Sequence, residues 1–218
     1  MSNIRLFFSN SLSADMIDKL DKSQSHYLVK VMRVKENEVF SLFNKNGEWE
    51  AKILGVSKNI VEFKTTKQSR QKEITKELWL AFSPIKSNYQ NFMIQKATEL
   101  GITKFLPIIF DRTVVRKINK ERLEKIVIEA SEQSNRISVP IIKSPQNLDN
   151  FLKDNLINLI FTDLNSNNKK IDASKFSNNP TCIIVGPEGD FSESEREKIL
   201  NFKDVLPLNF SISLIKDL

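Results

Sequence analysis

The sequence predicts an α/β protein: a parallel sheet with helices on both faces, preceded by a small β-rich module. Three observations carry this expectation. From Glu77 onward, short apolar runs alternate with segments whose apolar residues recur at helical spacing. Before residue 66, two strand-like runs flank Asn46-Gly47, a strong hairpin signal. Between these regions, Thr66 to Lys76 is rich in Lys, Gln and Arg, has no apolar periodicity, and reads as an interdomain linker.

The elements follow in order. Ile4–Phe8 is a short strand, and Ser13–Leu20 is expected to be a helix capped by Ser13. Ser25–Arg33 is mixed in character. Val39–Phe43 and Glu48–Val56 form the hairpin, and Asn59–Thr65 adds a strand after a Ser-Lys-Asn turn. Leu78–Phe82 opens the second region. Tyr89, Phe92, Met93, Ala97 and Leu100 then recur at helical spacing as the expected core face, with Gly101 as the C-cap. Lys104–Phe110 is a strand, and Asn119 caps a helix whose apolar face is Leu123, Ile126, Val127 and Ala130. Val139–Ile142, Ile157–Thr162, Thr181–Val185 and Val205–Leu208 are further strands. Leu148–Lys153 is a short helix, and Asn165–Asn168 reads as a solvated loop.

Composition narrows the function. The chain of 218 residues carries a formal charge of +6, which favours polyanionic partners such as nucleic acid. It has one cysteine, Cys182, inside an apolar strand. That excludes a disulfide framework, fits a reducing cytoplasm, and makes Cys182 a buried structural thiol. No apolar run approaches membrane-span length, and Met1–Asn10 lacks a signal-peptide core. His26 is the single histidine, so a metal site and a Ser-His-Asp triad are both disfavoured.

The stretch Thr181–Glu195 concentrates the functional signal. A buried strand is broken by Gly186-Pro187-Glu188-Gly189, and Ser192 with Glu195 forms a capping box that opens a helix. Strand, tight loop and helix N-terminus expose backbone N–H groups at a strand's carboxyl end, where α/β sheets bind ligands. No Gly-Lys-Ser/Thr follows, so this is not a phosphate-binding P-loop. Glu129, Glu132, Gln133 and Arg136 share one helix face, and Lys86, Lys96, Arg112, Arg116 and Lys117 suit phosphate contacts.

Several segments together resemble one family. They are Arg5-Leu-Phe-Phe8, His26 through Arg33, Gln95-Lys-Ala-Thr-Glu-Leu-Gly101, Asp111-Arg-Thr113, Glu129 through Arg136 leading to Pro140, and Gly186-Pro-Glu-Gly-Asp-Phe191. In this order they resemble the RsmE family of 16S ribosomal RNA (uracil-N3) methyltransferases, of the SPOUT superfamily of knotted, S-adenosylmethionine-dependent enzymes. The resemblance implies a PUA-like RNA-binding β-barrel over residues 1–68, a linker over 69–76, and a SPOUT methyltransferase domain with a trefoil knot over 77–218. It implies a homodimer acting on 16S rRNA or the small ribosomal subunit. It places Thr162, Gly186, Pro187, Glu188, Gly189, Leu206, Leu208 and Asn209 in the S-adenosylmethionine pocket. RNA contacts are expected from Arg5, His26, Arg33, Lys86, Arg112 and Arg116. Arg112, Glu129, Glu132 and Arg136 are the catalytic candidates, with no general base assigned.

The chain departs from the family at its end. The family closes its knot with a Leu-Gly loop and a segment like Ile-Leu-Arg-Thr-Glu-Thr-Ala, whereas here Val205–Leu218 lacks that run and Asn209 stands where the loop glycine belongs. The expectation is a truncated or divergent end, an incomplete knot, weak cofactor binding and reduced solubility. An alternative function follows from it: a non-catalytic RNA-binding protein that has lost its cofactor site.

Overall fold

In the computed structural model, residues 4–72, 76–153, 156–172, 174 and 176–209 are described. The expected closing segment, Phe210 to Leu218, lies outside them, as do residues 73–75 of the expected linker. The chain divides into two compact units, Met1–Thr75 with Ile128–Val139, and Lys76–Val127 with Pro140–Leu218.

The first unit is built on a five-stranded sheet: β1 (Arg5–Phe7), β2 (Ile17–Lys19), β3 (Val39–Asn44), β4 (Gly47–Ser57) and β5 (Ile60–Gln71), in the order β1-β3-β4-β5-β2. β1 runs parallel to β3, and the remaining pairs are antiparallel. Lys58 and Asn59, with φ of 50° and 61°, form the two-residue turn between β4 and β5, where both central residues of a type I′ turn need positive φ. The other hairpin turns at Lys45-Asn46, one residue before the expected Asn46-Gly47. Helix α1 (Lys22–His26) is capped by Asp21 and runs into a single π-helical turn over Tyr27–Val31. Ile4, Leu6, Leu28, Phe40, Leu42, Ile53, Val61 and Phe63 form the core of this unit.

Two sequence expectations fail here. Ser13–Leu20 is not a helix, because β2 lies within it and pairs with β5 from Ile17↔Lys64 to Lys19↔Glu62. The first six residues of the expected linker, Thr66 to Gln71, are not linker but the end of β5, laddered to β4 at Trp49↔Gln68, Glu48↔Arg70 and Gly47↔Gln71.

The second unit carries an all-parallel sheet. Its strands are β6 (Leu78–Phe82), β7 (Lys104–Ile109), β8 (Ile141–Ile142), β9 (Gln146–Asn147), β10 (Asn158–Thr162), β11 (Thr181–Val185) and β12 (Val205–Leu208), in the order β12-β10-β11-β6-β7-β8 with β9 beside β7. Its helices are α2 (Ser87–Glu99), α4 (Leu148–Lys153) and α5 (Glu193–Leu200); α3 (Lys120–Gln133) begins in this unit and ends in the first. Successive strand residues face opposite ways, and both faces are buried. Trp79, Ala81, Leu106, Ile108, Leu159, Phe161, Cys182 and Ile184 pack with Leu148, Phe151 and Ile199 from α4 and α5. Leu80, Phe82 and Phe105, on the other face, are buried as well. Cys182 is fully buried, and desolvation pushes its thiol up to about 12, so it is a structural thiol as expected. No helix among the described residues is long and apolar enough to cross a membrane.

Helix α2 buries a different face from the expected one. Tyr89, Phe92 and Leu100 are 69%, 63% and 83% exposed, whereas Gln90, Ile94 and Thr98 face inward. The two polar residues go in because each finds a local partner: Gln90 Oε1 accepts from the Ile85 N–H at 3.2 Å, and Thr98 Oγ1 donates to the Ile94 carbonyl at 2.8 Å. Gly101, at φ 107°, ends the helix as expected.

Candidate functional site

The carboxyl ends of β6, β7, β10, β11 and β12 lie along one edge of the second unit's sheet, and their loops gather there. After β11 the chain turns through Gly186-Pro187-Glu188-Gly189, closed by the Asp190 N–H donating to the Pro187 carbonyl at 3.0 Å. Among the described residues, the N–H groups of Gly186, Glu188 and Gly189 have no hydrogen-bond partner in the chain. The capping box at the start of α5 is present, with the Ser192 N–H donating to Glu195 Oε2 at 2.9 Å and the Glu195 N–H to Ser192 Oγ at 3.4 Å. The capping box satisfies the Ser192 and Glu195 N–H groups within the chain, so the free donors on this side are those of the loop together with the Glu193 and Ser194 N–H groups at the start of α5, among the described residues.

Packing fixes the loop from below. A Cβ on Gly186 would lie 2.6 Å from the Phe191 ring, so only glycine fits there without a shift. The ring stands edge-on to Phe110 and Phe161, each with centroids 5.1 Å away. The loop after β7 is bolted to the same place. The buried Glu195 accepts the Asp111 N–H at 2.8 Å, and Ser192 Oγ donates to Asp111 Oδ2 at 2.7 Å. Arg112 Nη1 donates to the Gly189 carbonyl at 2.8 Å. Thr113 Oγ1 accepts the Phe110 N–H and sits 3.0 Å from Ser83 Oγ, which links this loop to the end of β6. Sequence reading found the Ser192/Glu195 box but missed its second bond, because Asp111 is distant in sequence.

On the other side, Thr162 Oγ1 donates to the Ile184 carbonyl at 2.8 Å, and Thr162 stands opposite Leu208. Asn209 Nδ2 donates to the carbonyls of Leu164 and Ser166 at 2.9 and 3.2 Å. The Asn165–Asn168 stretch, expected to be a solvated loop, is thus laced to β12 by its Ser and Asn side chains. Of the expected pocket residues, Thr162, Gly186, Pro187, Glu188, Gly189, Leu208 and Asn209 meet at this edge. Leu206 is buried two residues back from the end of β12.

The expected RNA contacts fall in both units. In the first, His26 and Arg33 are exposed; in the second, Lys86, Arg112 and Arg116 are exposed near the ends of β6 and β7. Arg5 is a correction. It is 7% exposed and makes five hydrogen bonds: two to the Glu48 carboxylate and three to the carbonyls of Ser131, Glu132 and Arg136. Its guanidinium also lies 4.4 Å above the Phe43 ring. A fork so engaged caps the end of α3 and has no donor left for a phosphate.

The catalytic candidates separate likewise. Glu132 accepts the Phe7 N–H at 2.9 Å, and desolvation raises its carboxyl above the usual range, with the neighbouring Glu129 adding to the rise. Arg136 donates to Ser138 Oγ at 3.3 Å, and burial lowers its guanidinium from the ordinary value. Glu129 is exposed. Of the four, Arg112 is the one placed against the Gly186–Gly189 loop.

Comparison with known proteins gives a consistent result. A family model described as an RNA methyltransferase domain matches residues 71–213, and an RNA methyltransferase PUA domain matches residues 20–66. The chain is 32% identical over 219 residues to the ribosomal RNA small subunit methyltransferase E of Rickettsia conorii, covering 97% of this chain and 89% of that one. It is 28% identical over 216 residues to the Buchnera aphidicola (Acyrthosiphon pisum) protein of the same name, covering 91% and 82%. Among solved structures, a ribosomal RNA small subunit methyltransferase E from Neisseria gonorrhoeae bound to S-adenosyl methionine has a TM-score of 0.87 at 25% identity, covering 96% of this chain and 89% of that one. A Legionella pneumophila putative methyltransferase in complex with the same cofactor has a TM-score of 0.81 at 25% identity, covering 97% and 90%. The PUA-like module and the parallel-sheet unit thus both have their counterpart in one group of proteins, and the chain belongs to the ribosomal RNA small subunit methyltransferase E family.

Proposed function

We propose that this chain methylates N3 of a uridine in 16S rRNA, using S-adenosylmethionine. The observation that carries the proposal is the Gly186–Gly189 loop at the carboxyl ends of β10, β11 and β12, with three N–H groups that have no partner among the described residues. The site fits the cofactor on its own chemistry. Backbone donors suit the polar edge of an adenosyl or amino-acid moiety, and the exposed Val185 and Leu164 beside them offer apolar cover. The cofactor supplies an electrophilic methyl group.

The chain's residues do the rest. The 186–189 loop holds and orients the cofactor, and much of the rate comes from that alignment. The uridine N3 proton is lost to water ahead of methyl transfer, so negative charge builds on the uracil carbonyls until the new N–C bond discharges it; a guanidinium stabilises such charge. Arg112, on the edge of the loop, is the residue best placed for that role. The exposed cations Lys86 and Arg116 hold RNA phosphates nearby, and His26 and Arg33 do so on the PUA-like unit. The target base leaves its stack to reach the loop.

The enzyme acts as a homodimer in the cytoplasm. The exposed Tyr89, Phe92 and Leu100 on α2 support the dimer, since apolar side chains clustered on one helix mark an association surface. The single buried Cys182 suits a reducing compartment. The non-catalytic alternative is not favoured, because the loop that would hold the cofactor is intact and family membership extends across both units.

Titration calorimetry with S-adenosylmethionine, followed by transfer of labelled methyl to rRNA or assembled small subunits and mapping of the modified base, tests the proposal. Saturable binding and N3-methyluridine are expected. Absence of binding, or label on any other atom, refutes it.

A further inference from the structure

We infer that Asp163, gripped by Arg196, is a positioning residue for the segment 164–168, and that this segment forms one wall of the proposed cofactor site. The inference rests on the proposed cofactor site. Asp163 directly follows β10 and is only 5% exposed. Arg196, in the first turn of α5, holds its carboxylate in a two-point grip, Nε to Oδ1 at 3.3 Å and Nη2 to Oδ2 at 2.8 Å. The same Oδ1 accepts the Asn165 N–H at 3.0 Å, and the Asp163 carbonyl accepts the Ser166 N–H at 3.1 Å. The carboxylate therefore dictates the direction in which the chain leaves β10.

That direction has a consequence at the site. The turned segment meets β12, where Ser166 Oγ and Asn168 Nδ2 both donate to the Pro207 carbonyl, and the Asn209 N–H donates to the Asn168 carbonyl at 2.8 Å. Leu164 is left 65% exposed, at the end of the strand next to β11 and its 186–189 loop. The first turn of α5 thus fastens loops on both sides. Glu195 holds Asp111 and Ser192 on one side, and Arg196 holds Asp163 on the other.

Asp163 is buried while Arg196 stays partly exposed, so the pair's contribution to stability alone is modest. What the bidentate grip adds is geometry: a planar fork fixes both the position and the plane of the carboxylate. Arg196 is thereby a partner in positioning, acting through Asp163.

The test compares the full-length parent with Asp163→Asn and Arg196→Lys, by S-adenosylmethionine calorimetry, salt-dependent RNA binding, cofactor-free melting, and hydrogen exchange over residues 164–168. Asp163→Asn is expected to weaken cofactor binding at least about tenfold and to speed exchange at Asn165 and Ser166 by a similar factor. RNA affinity should stay within about twofold. Arg196→Lys, which keeps the charge but loses the fork, should retain an intermediate cofactor affinity; it carries the test if Asp163→Asn does not fold. Cofactor affinity within twofold of the parent in both variants overturns the inference. So does a loss of cofactor and RNA binding that merely tracks a lower melting temperature. If the parent binds no cofactor, the proposed function fails by that result; unchanged exchange over 164–168 in the variants would separately overturn the positioning role, and faster exchange would uphold it.

Discussion

Gly186 and Gly189 belong to one loop, yet the structure predicts different costs for changing them. A Cβ on Gly186 would lie 2.6, 2.7 and 3.0 Å from Cε2, Cζ and Cδ2 of Phe191. That ring has nowhere to go: it is 9% exposed and stands at 90° to Phe110 and 79° to Phe161, 5.1 Å from each. Overpacking a filled core costs about 1–3 kcal/mol, and tilting the ring off its two aromatic neighbours adds roughly 0.5–1.5 kcal/mol for each edge-to-face pair that is broken. Gly186→Ala is therefore expected to destabilise the chain by about 2–4 kcal/mol. At Gly189 the nearest atoms are 3.6 and 3.7 Å away on Arg112, an ordinary van der Waals separation. Gly189→Ala should therefore stay within about 0.5 kcal/mol of the parent. Urea denaturation of both variants reads the difference. A double-mutant cycle with Phe191→Leu isolates the clash, and there the Gly186→Ala cost should fall below about 1 kcal/mol. If Gly186→Ala is as stable as the parent, or costs as much when Phe191 is leucine, the steric account is wrong.

Other expectations follow from the same geometry. Arg5→Ala removes one side of a buried pair and should cost about 3–5 kcal/mol by urea denaturation, since among the described residues Glu48 then keeps only Arg70, 3.3 Å away; near-parental stability would restore Arg5 as an RNA-binding residue. Glu132 is raised above 4.5 mainly by desolvation, so between its unfolded and folded values the native state binds more protons and stability falls as pH rises. Glu132→Gln removes that titration, and the variant should gain stability relative to the parent as pH rises through this window; a pH-independent difference would contradict the burial argument. Arg116→Ala should weaken RNA binding and reduce its salt slope by about one ion, with the melting temperature unchanged. A large drop in melting temperature would make Arg116 a structural residue.

What the sequence disclosed about the fold depended on whether local signals were enough. The bounds of β6 and β11, as well as the α5 capping box, lie in short apolar runs and a four-residue cap that need no distant partner. β2 is set by its ladder with β5, and Ile17-Asp-Lys19 has no strand character of its own. The end of β5 is polar because its backbone bonds to β4 do not require apolar side chains, and three register shifts between the two strands blur alternation further. In α2, hydrophobicity pointed to Tyr89, Phe92 and Leu100, while burial followed the residues whose polar groups could be satisfied inside. The exposed aromatic side chains of α2 are the ones that the apolar spacing had assigned to the core.

The site was legible where chemistry is carried by backbone and loop shape, and illegible where it depends on what else a side chain is doing. Gly186 to Gly189 could be singled out because a strand, a Gly-Pro break and a helix cap occur in immediate succession. Positive charge was a poorer guide. Arg5, Arg112 and Arg116 look alike in a sequence, yet the first gives every donor to Glu48 and to the end of α3, and the second braces Gly189. Among the described residues, the third has only a long 3.5 Å hydrogen bond to the Asp111 carbonyl. Arg196 had attracted no functional reading, because the Asp163 it holds lies 33 positions earlier. An arginine's role in such a site is set by its acceptors. Buried carboxylates and helix-end carbonyls claim guanidinium groups for architecture, and RNA is left with those whose neighbours offer no better acceptor than water.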